Sequence, residues 1–235
     1  MSDLPRDDGD IWCRKEKKKT GDDNKAILDE IRSGQITPPS LFAADEAGFD
    51  ELEALSTKRG DFNVELLRKL HVIALTREGQ APSYAGLLRG ESGESPSGTI
   101  KIGSSYVAPI NSKVPGLMQE FVAWLNGEEA SRDGVIRYVA EAHIRLAALH
   151  PYGNGNGRSS RALVNFLLLR RGMRPFLIPE KEHNEYNKAL KSAIVDGQPN
   201  QFYDMMSTWI QNYSGLFDAE RGDSGQANRR LSAQH

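Results

Sequence analysis

Apolar residues return every three or four positions through most of this chain, and the breaks in that rhythm divide it into a series of helices. The most regular run lies past the middle: Ile136, Val139, Ala140, His143 and Ala147 share one face, so the spacing predicts an amphipathic helix over Val135 to Leu149. Pro151 stops it. A residue before proline is driven out of the α region, so His150 should close the last turn and project its imidazole at a helix end. Downstream, Ala162, Leu163, Val164, Phe166, Leu167, Leu168 and Leu169 are apolar almost all round, which suits a helix at the centre of a bundle, and Gly172 is its natural C-terminal cap.

Other helices follow the same logic. Val64, Leu67, His71 and Ala74 share a face between Asn63 and Arg77, with His71 read as a core-edge histidine. Pro115 opens a helix whose apolar face is Leu117, Met118, Phe121, Val122 and Leu125, with Trp124 nearby. Pro179 to Asp196 places Tyr186, Leu190 and Ala193 inward and is closed by Gly197; Phe202, Met205, Trp209 and Tyr213 form a last stripe. Weaker stripes lie at Ile27, Leu28 and Ile31, within Asn24 to Arg32, and at Phe49, Leu52 and Leu55. Strand-like alternation is confined to Thr99, Ile100, Lys101 and Ile102, which with Tyr106 to Ala108 can form a hairpin after a loop over Gly90 to Gly98. The class expected is therefore all-α with one small β-hairpin.

A length of 235 residues with 38% apolar content allows one domain with a real core. The expected division is a polar arm over 1–40, a folded domain over 41–215 and a disordered tail over 216–235. Within the arm, Arg14 to Lys19 carry five basic residues of six, which reads as a solvated stretch. A net charge of −2 supplies no overall attraction to nucleic acid or to an anionic membrane. The single Cys13 excludes an internal disulfide, and no run is apolar and long enough for a signal or membrane segment. A reducing cytoplasm is the expected setting; a protein delivered into another cell would look the same. Paired cysteines and a His-Glu-x-x-His pattern are absent, which argues against zinc.

The chemistry concentrates between the two central helices, in His150-Pro-Tyr-Gly-Asn-Gly-Asn-Gly-Arg-Ser-Ser-Arg161. Gly153, Gly155 and Gly157 are expected to take positive φ and turn amide groups inward as an anion-binding nest. A helix starting near Arg158 would aim its free N–H groups and positive dipole end at the same point. Arg158 and Arg161, one turn apart, can both grip a polyphosphate. His150 stands beside them, with an imidazole suited to taking a proton from an incoming hydroxyl.

This stretch resembles the signature of the Fic proteins, His-x-Phe-x-Asp/Glu-Gly-Asn-Gly-Arg-x-x-Arg, and the likeness extends from about Ala85 to Trp209. It takes in Gly86-Leu-Leu-Arg89, Gln119 to Leu125 and Asn165 to Gly172. The resemblance implies a Fic fold and an enzyme that moves AMP from ATP onto a Ser, Thr or Tyr hydroxyl of a target protein. It implies that His150 is the general base, that Gly155, Asn156 and Gly157 line the anion hole, and that Arg158 and Arg161 hold the β and γ phosphates. Tyr186, Asn187 and Leu190 match base-pocket positions, and Thr99 to Ile102 belong to the flap, which registers an extended stretch of the target by strand addition. Tyr152 replaces the usual Phe. Asn154 replaces the carboxylate that holds Mg²⁺ (or Mn²⁺), and a neutral amide oxygen is a poorer ligand for a hard cation. Transfer of another nucleotide, of phosphate or of phosphocholine fits the same residues, and so does a binding module that has lost turnover. Many Fic chains also carry an inhibitory Ser/Thr-x-x-x-Glu-Gly/Asn helix. Here Glu precedes Gly only at Glu78-Gly79, four residues after Ala74, so restraint is expected from a separate small helical protein, from self-association or from the weakened metal site.

Overall fold

The computed structural model describes residues 46–76, 79–91, 98, 100–102, 106–127, 134–175, 178 and 182–213. Among them are seven α-helices: α1 (Glu46–Ser56), α2 (Val64–Leu75), α3 (Val114–Asn126), α4 (Val135–Leu149), α5 (Asn156–Arg170), α6 (His183–Val195) and α7 (Asn200–Tyr213). The helix expected at 24–32, the basic run at 14–19, the tail beyond 213 and Thr99 lie outside the described residues.

Helix α5 is the hub, packing most extensively against α4 and α2 and also against α1. Its residues Ala162 to Leu168 are all buried, as the all-round apolar run requires. Helix α2 starts where Asn63 caps it, its side chain accepting from the Leu66 N–H at 2.8 Å, a bond worth about 1 kcal/mol. Helix α5 stops at Gly172, whose positive φ lets its N–H reach the Leu169 carbonyl and that of Met173 reach Leu168. In α7 the buried stripe is Phe202, Met206, Trp209 and Ile210. The expected Met205 is only half-buried, because Met206, four residues after Phe202, takes the inward position in its place.

Two short strands, β1 (Lys101–Ile102) and β2 (Tyr106–Val107), pair antiparallel with Lys101 opposite Val107 and Ile102 opposite Tyr106. Ala108 N–H donates to the Ile100 carbonyl and Asn111 N–H to that of Gly98, which extends the hairpin to its base. A 3₁₀ turn at Asn111–Lys113 then leads into α3.

Candidate active site

Helix α4 ends at Leu149, as the pattern predicts, and His150 caps it in the left-handed conformation, φ 49°, ψ 57°. It is the one non-glycine residue with positive φ among the described residues. Proline at 151 bars the right-handed well, and the chain turns through the left-handed one.

The glycine loop is tighter than a string of three flexible glycines. Only Gly155 has positive φ (78°); Gly153 does not, and Gly157 already lies inside α5. A Cβ on Gly155 would stand 2.6 Å from Leu75 Cδ2 and 3.2 Å from His71 Nε2, so close approach to α2 demands glycine as much as the dihedral does. Helix α5 begins at Asn156, two residues before the expected start at Arg158. The Asn156 side chain explains this: Oδ1 accepts from the Tyr152 N–H at 2.9 Å and Nδ2 donates to the Tyr152 carbonyl at 2.8 Å, a clasp that closes the loop. That side chain is therefore spent internally, and only the Asn156 backbone can serve an anion hole. No side chain caps α5, and the Asn156 and Gly157 N–H groups, which no intrahelical carbonyl can accept, lie at the end of the helix where an anion is favoured.

Tyr152, where the resemblance calls for Phe, is buried. Its hydroxyl donates to the Leu67 carbonyl at 3.0 Å, and its ring stacks on His71 with centroids 3.7 Å apart. His71 is more than a core-edge residue. Its Nδ1 accepts from the Gly86 N–H at 2.8 Å, which places the proton on Nε2, and Nε2 donates to the Asn154 carbonyl at 3.0 Å. Burial, with Arg158 adding to it, pushes the His71 imidazole down to about 4, so the ring is neutral and the tautomer is fixed.

Arg161 folds back along α5: its Nη1 lies 3.5 Å from where a Gly157 Cβ would be. The Arg161 charge also acts on the Tyr186 hydroxyl, whose oxygen lies 3.1 Å from His143 Nε2. Burial and the Arg161 charge hold the His143 imidazole down at about 3. A neutral His143 and the Tyr186 hydroxyl share that hydrogen bond, with the Arg161 charge acting on both. Tyr186 is itself buried among His143, Phe202 and Trp209, a core position. Leu190 is half-buried against the core, and Asn187 is exposed on α6. Among the described residues Arg161 makes no ion pair with a carboxylate.

His150 itself is buried, and burial first, then the charge of Arg89, pushes its imidazole down to about 4. It is unprotonated at neutral pH, the form that a general base needs.

The fold and the loop have known counterparts. Residues 61–168 match the model of the Fic/DOC family. Those residues form a Fic/DOC domain. The protein adenylyltransferase Fic of Drosophila yakuba is 41% identical over 103 residues, 44% of this chain and 21% of its own length. That of Drosophila ananassae is 40% identical over the same extent of this chain. The chain thus spans about a fifth of the length of these curated relatives. Among solved structures, a Fic-domain-containing signalling protein from Bacteroides thetaiotaomicron superposes with a TM-score of 0.59 at 21% identity, over 76% of this chain and 70% of that one. The BepC protein of Bartonella tribocorum, solved with bound AMPPNP, superposes with a TM-score of 0.53 at 15% identity, over 69% and 81%.

The metal that Fic proteins are expected to use fits this loop poorly. Asn154 Oδ1 already accepts the Gly155 N–H at 2.6 Å, and Nδ2 donates to the Tyr84 hydroxyl at 3.3 Å. No group of three His, Cys, Asp or Glu side chains gathers among the described residues. A hard divalent cation would meet one neutral, engaged oxygen where it prefers a carboxylate. No helix of the described residues is long and apolar enough to cross a membrane.

Proposed function

We propose that this chain transfers AMP from ATP to a hydroxyl of a protein target. The observation that carries the reading is the juxtaposition of a neutral His150 at the end of α4 with the uncapped start of α5, joined by a six-residue loop that Asn156 clasps shut. His150 takes the proton of the target hydroxyl, the oxygen attacks the α phosphorus, and pyrophosphate leaves with the bonding electrons. The Asn156 and Gly157 amides at the start of α5, with Arg158 and Arg161, hold the β and γ phosphates, and Gly155 shapes the turn that presents them. A bound triphosphate beside His150 raises its pKa from the depressed value and strengthens it as a base. Asn187 and Leu190 offer the base a wall on α6, while Tyr186 serves through Arg161.

The flap supplies the protein-binding element. Among the described residues β1 and β2 pair only with each other, which leaves an edge for an extended segment of the target. With Asn154 engaged, charge neutralisation falls chiefly to the arginines and amides, and Mg²⁺ or Mn²⁺ is an auxiliary whose effect is to be measured. Arg161 pairs with no carboxylate among the described residues, and restraint would come from a separate small helical protein, from self-association or from the weak metal site. Incubation with labelled ATP, GTP, UTP and CTP, each with Mg²⁺, Mn²⁺ or EDTA, tests the reading: label from ATP should enter protein. The engaged Asn154 also favours a second reading, a nucleotide-binding module without turnover. That reading predicts ATP binding with no label in protein under any metal condition.

A further inference from the structure

A helix leaves its last carbonyls without partners. At the end of α4, the helix that carries His150, three successive carbonyls, those of Ala148, Leu149 and His150, are taken by two side chains. The Tyr106 hydroxyl, on flap strand β2, donates to Ala148 at 2.9 Å. Arg89 takes the next two, Nη2 donating to Leu149 at 3.4 Å and Nε to His150 at 2.8 Å. The Arg89 backbone N–H donates to the Pro151 carbonyl at 2.8 Å, and Leu88 bridges Tyr152. Two residues earlier, the Gly86 N–H and carbonyl are gripped from α2 by His71 Nδ1 and Arg68 Nη1. Residues 84–89 therefore run as a strap along the catalytic loop, fixed to α2 behind and bonded to the loop in front.

Arg89 also reaches the flap. Its Nη1 donates to Asn111 Oδ1 at 2.8 Å, and the Asn111 N–H closes the base of the hairpin on Gly98. The chain after Arg89 presses on the same residue: a Cβ on Gly90 would stand 2.2 Å from the Asn111 carbonyl oxygen, at φ +88°. Arg89 is 2% exposed, although arginine is among the residues least often buried. One planar fork thus joins the flap base to the backbone of the proposed base, a task that needs several donors in fixed directions.

We infer that Arg89 is a positioning residue that registers the flap against His150, so that a target segment seated on the flap meets an imidazole held at the end of α4. The inference deepens the proposed transfer reaction and rests on it for its role in turnover. Its geometric part stands apart. The charge of Arg89 sits at the negative end of α4, which suits both the helix and a neutral His150. Arg89 is the charged group whose field reaches the His150 ring, and the Tyr106 hydroxyl, from the flap, lies in the field of the same guanidinium.

The test compares Arg89→Met, Arg89→Lys, Asn111→Ala and Tyr106→Phe in the full chain. Imidazole titrations by NMR, ATP binding by calorimetry and label transfer from ATP into protein are read on each. Arg89→Met should raise the His150 midpoint while leaving that of His143 in place, keep ATP affinity within about threefold, and cut transfer by about a hundredfold. Arg89→Lys should recover part of the rate, since it keeps the charge but not the fork. Should Arg89→Met not fold, Asn111→Ala and Tyr106→Phe decide the matter, each expected to shift the His150 resonances and to slow transfer several-fold with ATP binding intact. A His150 midpoint and a transfer rate unchanged in Arg89→Met, or in both flap variants, overturns the inference. If the wild-type chain binds ATP but moves no label, the transfer reading fails while the titrations still judge the positioning.

Discussion

Acidification should weaken this domain in the range where histidines, and not carboxylates, titrate in the unfolded chain. His71, His143 and His150 are buried as neutral rings, pushed down to about 4, 3 and 4. In the unfolded chain the same rings protonate near 6.5. Between those values the unfolded state binds more protons, so the contribution of each ring is fully present above about pH 6.5 and is lost as the pH falls toward 4. At pH 5.5 each ring has cost a little over 1 kcal/mol, about 4 kcal/mol for the three, against a total stability on the order of 5–15 kcal/mol. His183, lowered by burial and by Arg161, acts in the same direction. Urea titrations followed by tryptophan fluorescence at pH 7.5, 6.5 and 5.5 measure the loss directly. His71→Gln should lower stability at pH 7.5, because the bonds to Gly86 and Asn154 go, and should also reduce the pH slope by about a third. Equal stability at pH 7.5 and 5.5, within about 1 kcal/mol, would refute the reasoning, since it would mean that these rings are solvated or already charged in the native state.

Other variants probe the site itself. His150→Ala should lower label transfer by about 10² to 10⁴ and leave ATP affinity within about twofold, measured by single-turnover assay and calorimetry. Asn154→Asp should tighten Mg²⁺ and raise transfer, because it restores a charged oxygen; a Mg²⁺ titration of both proteins showing the same optimum and rate would place the metal elsewhere. Gly155→Ala should cost about 2–4 kcal/mol, from a left-handed residue and from overlap with Leu75, read from the urea midpoint.

Much of this was legible in the sequence wherever local signals agreed. Helix α4 runs Val135–Leu149 because its stripe and Pro151 define both ends, and Gly172 ends α5 because its conformation suits few other residues. The loop was legible in composition but not in geometry. Three alternating glycines look equivalent, yet only Gly155 needs positive φ, and its reason is Leu75 and His71, some 80 residues away in the chain. The early start of α5 depends on the Asn156 clasp, a pair of side-chain bonds that no periodicity encodes. His71 sat on a core stripe and was read as packing; that it orients Asn154 is visible only once Gly86 is found at its other nitrogen. Arg89 enters the sequence reading only within Gly86-Leu-Leu-Arg89, since the carbonyls that draw it inward belong to residues about 60 positions on. Tyr186 matched a base-pocket position, and the structure places it beneath Arg161 in the core.

The central claim is that His150 and the anion loop together move AMP, and the position of the retained label tests it most directly. Wild-type chain and His150→Ala should be incubated in parallel with ATP labelled at the α phosphate and with ATP labelled at the γ phosphate, and the protein then separated from free nucleotide. AMP transfer predicts that α label enters wild-type protein, that γ label does not, and that His150→Ala takes up neither. Retention of γ label in place of α label would make the domain a phosphotransferase, and α label entering His150→Ala at the wild-type rate would remove His150 from the chemistry.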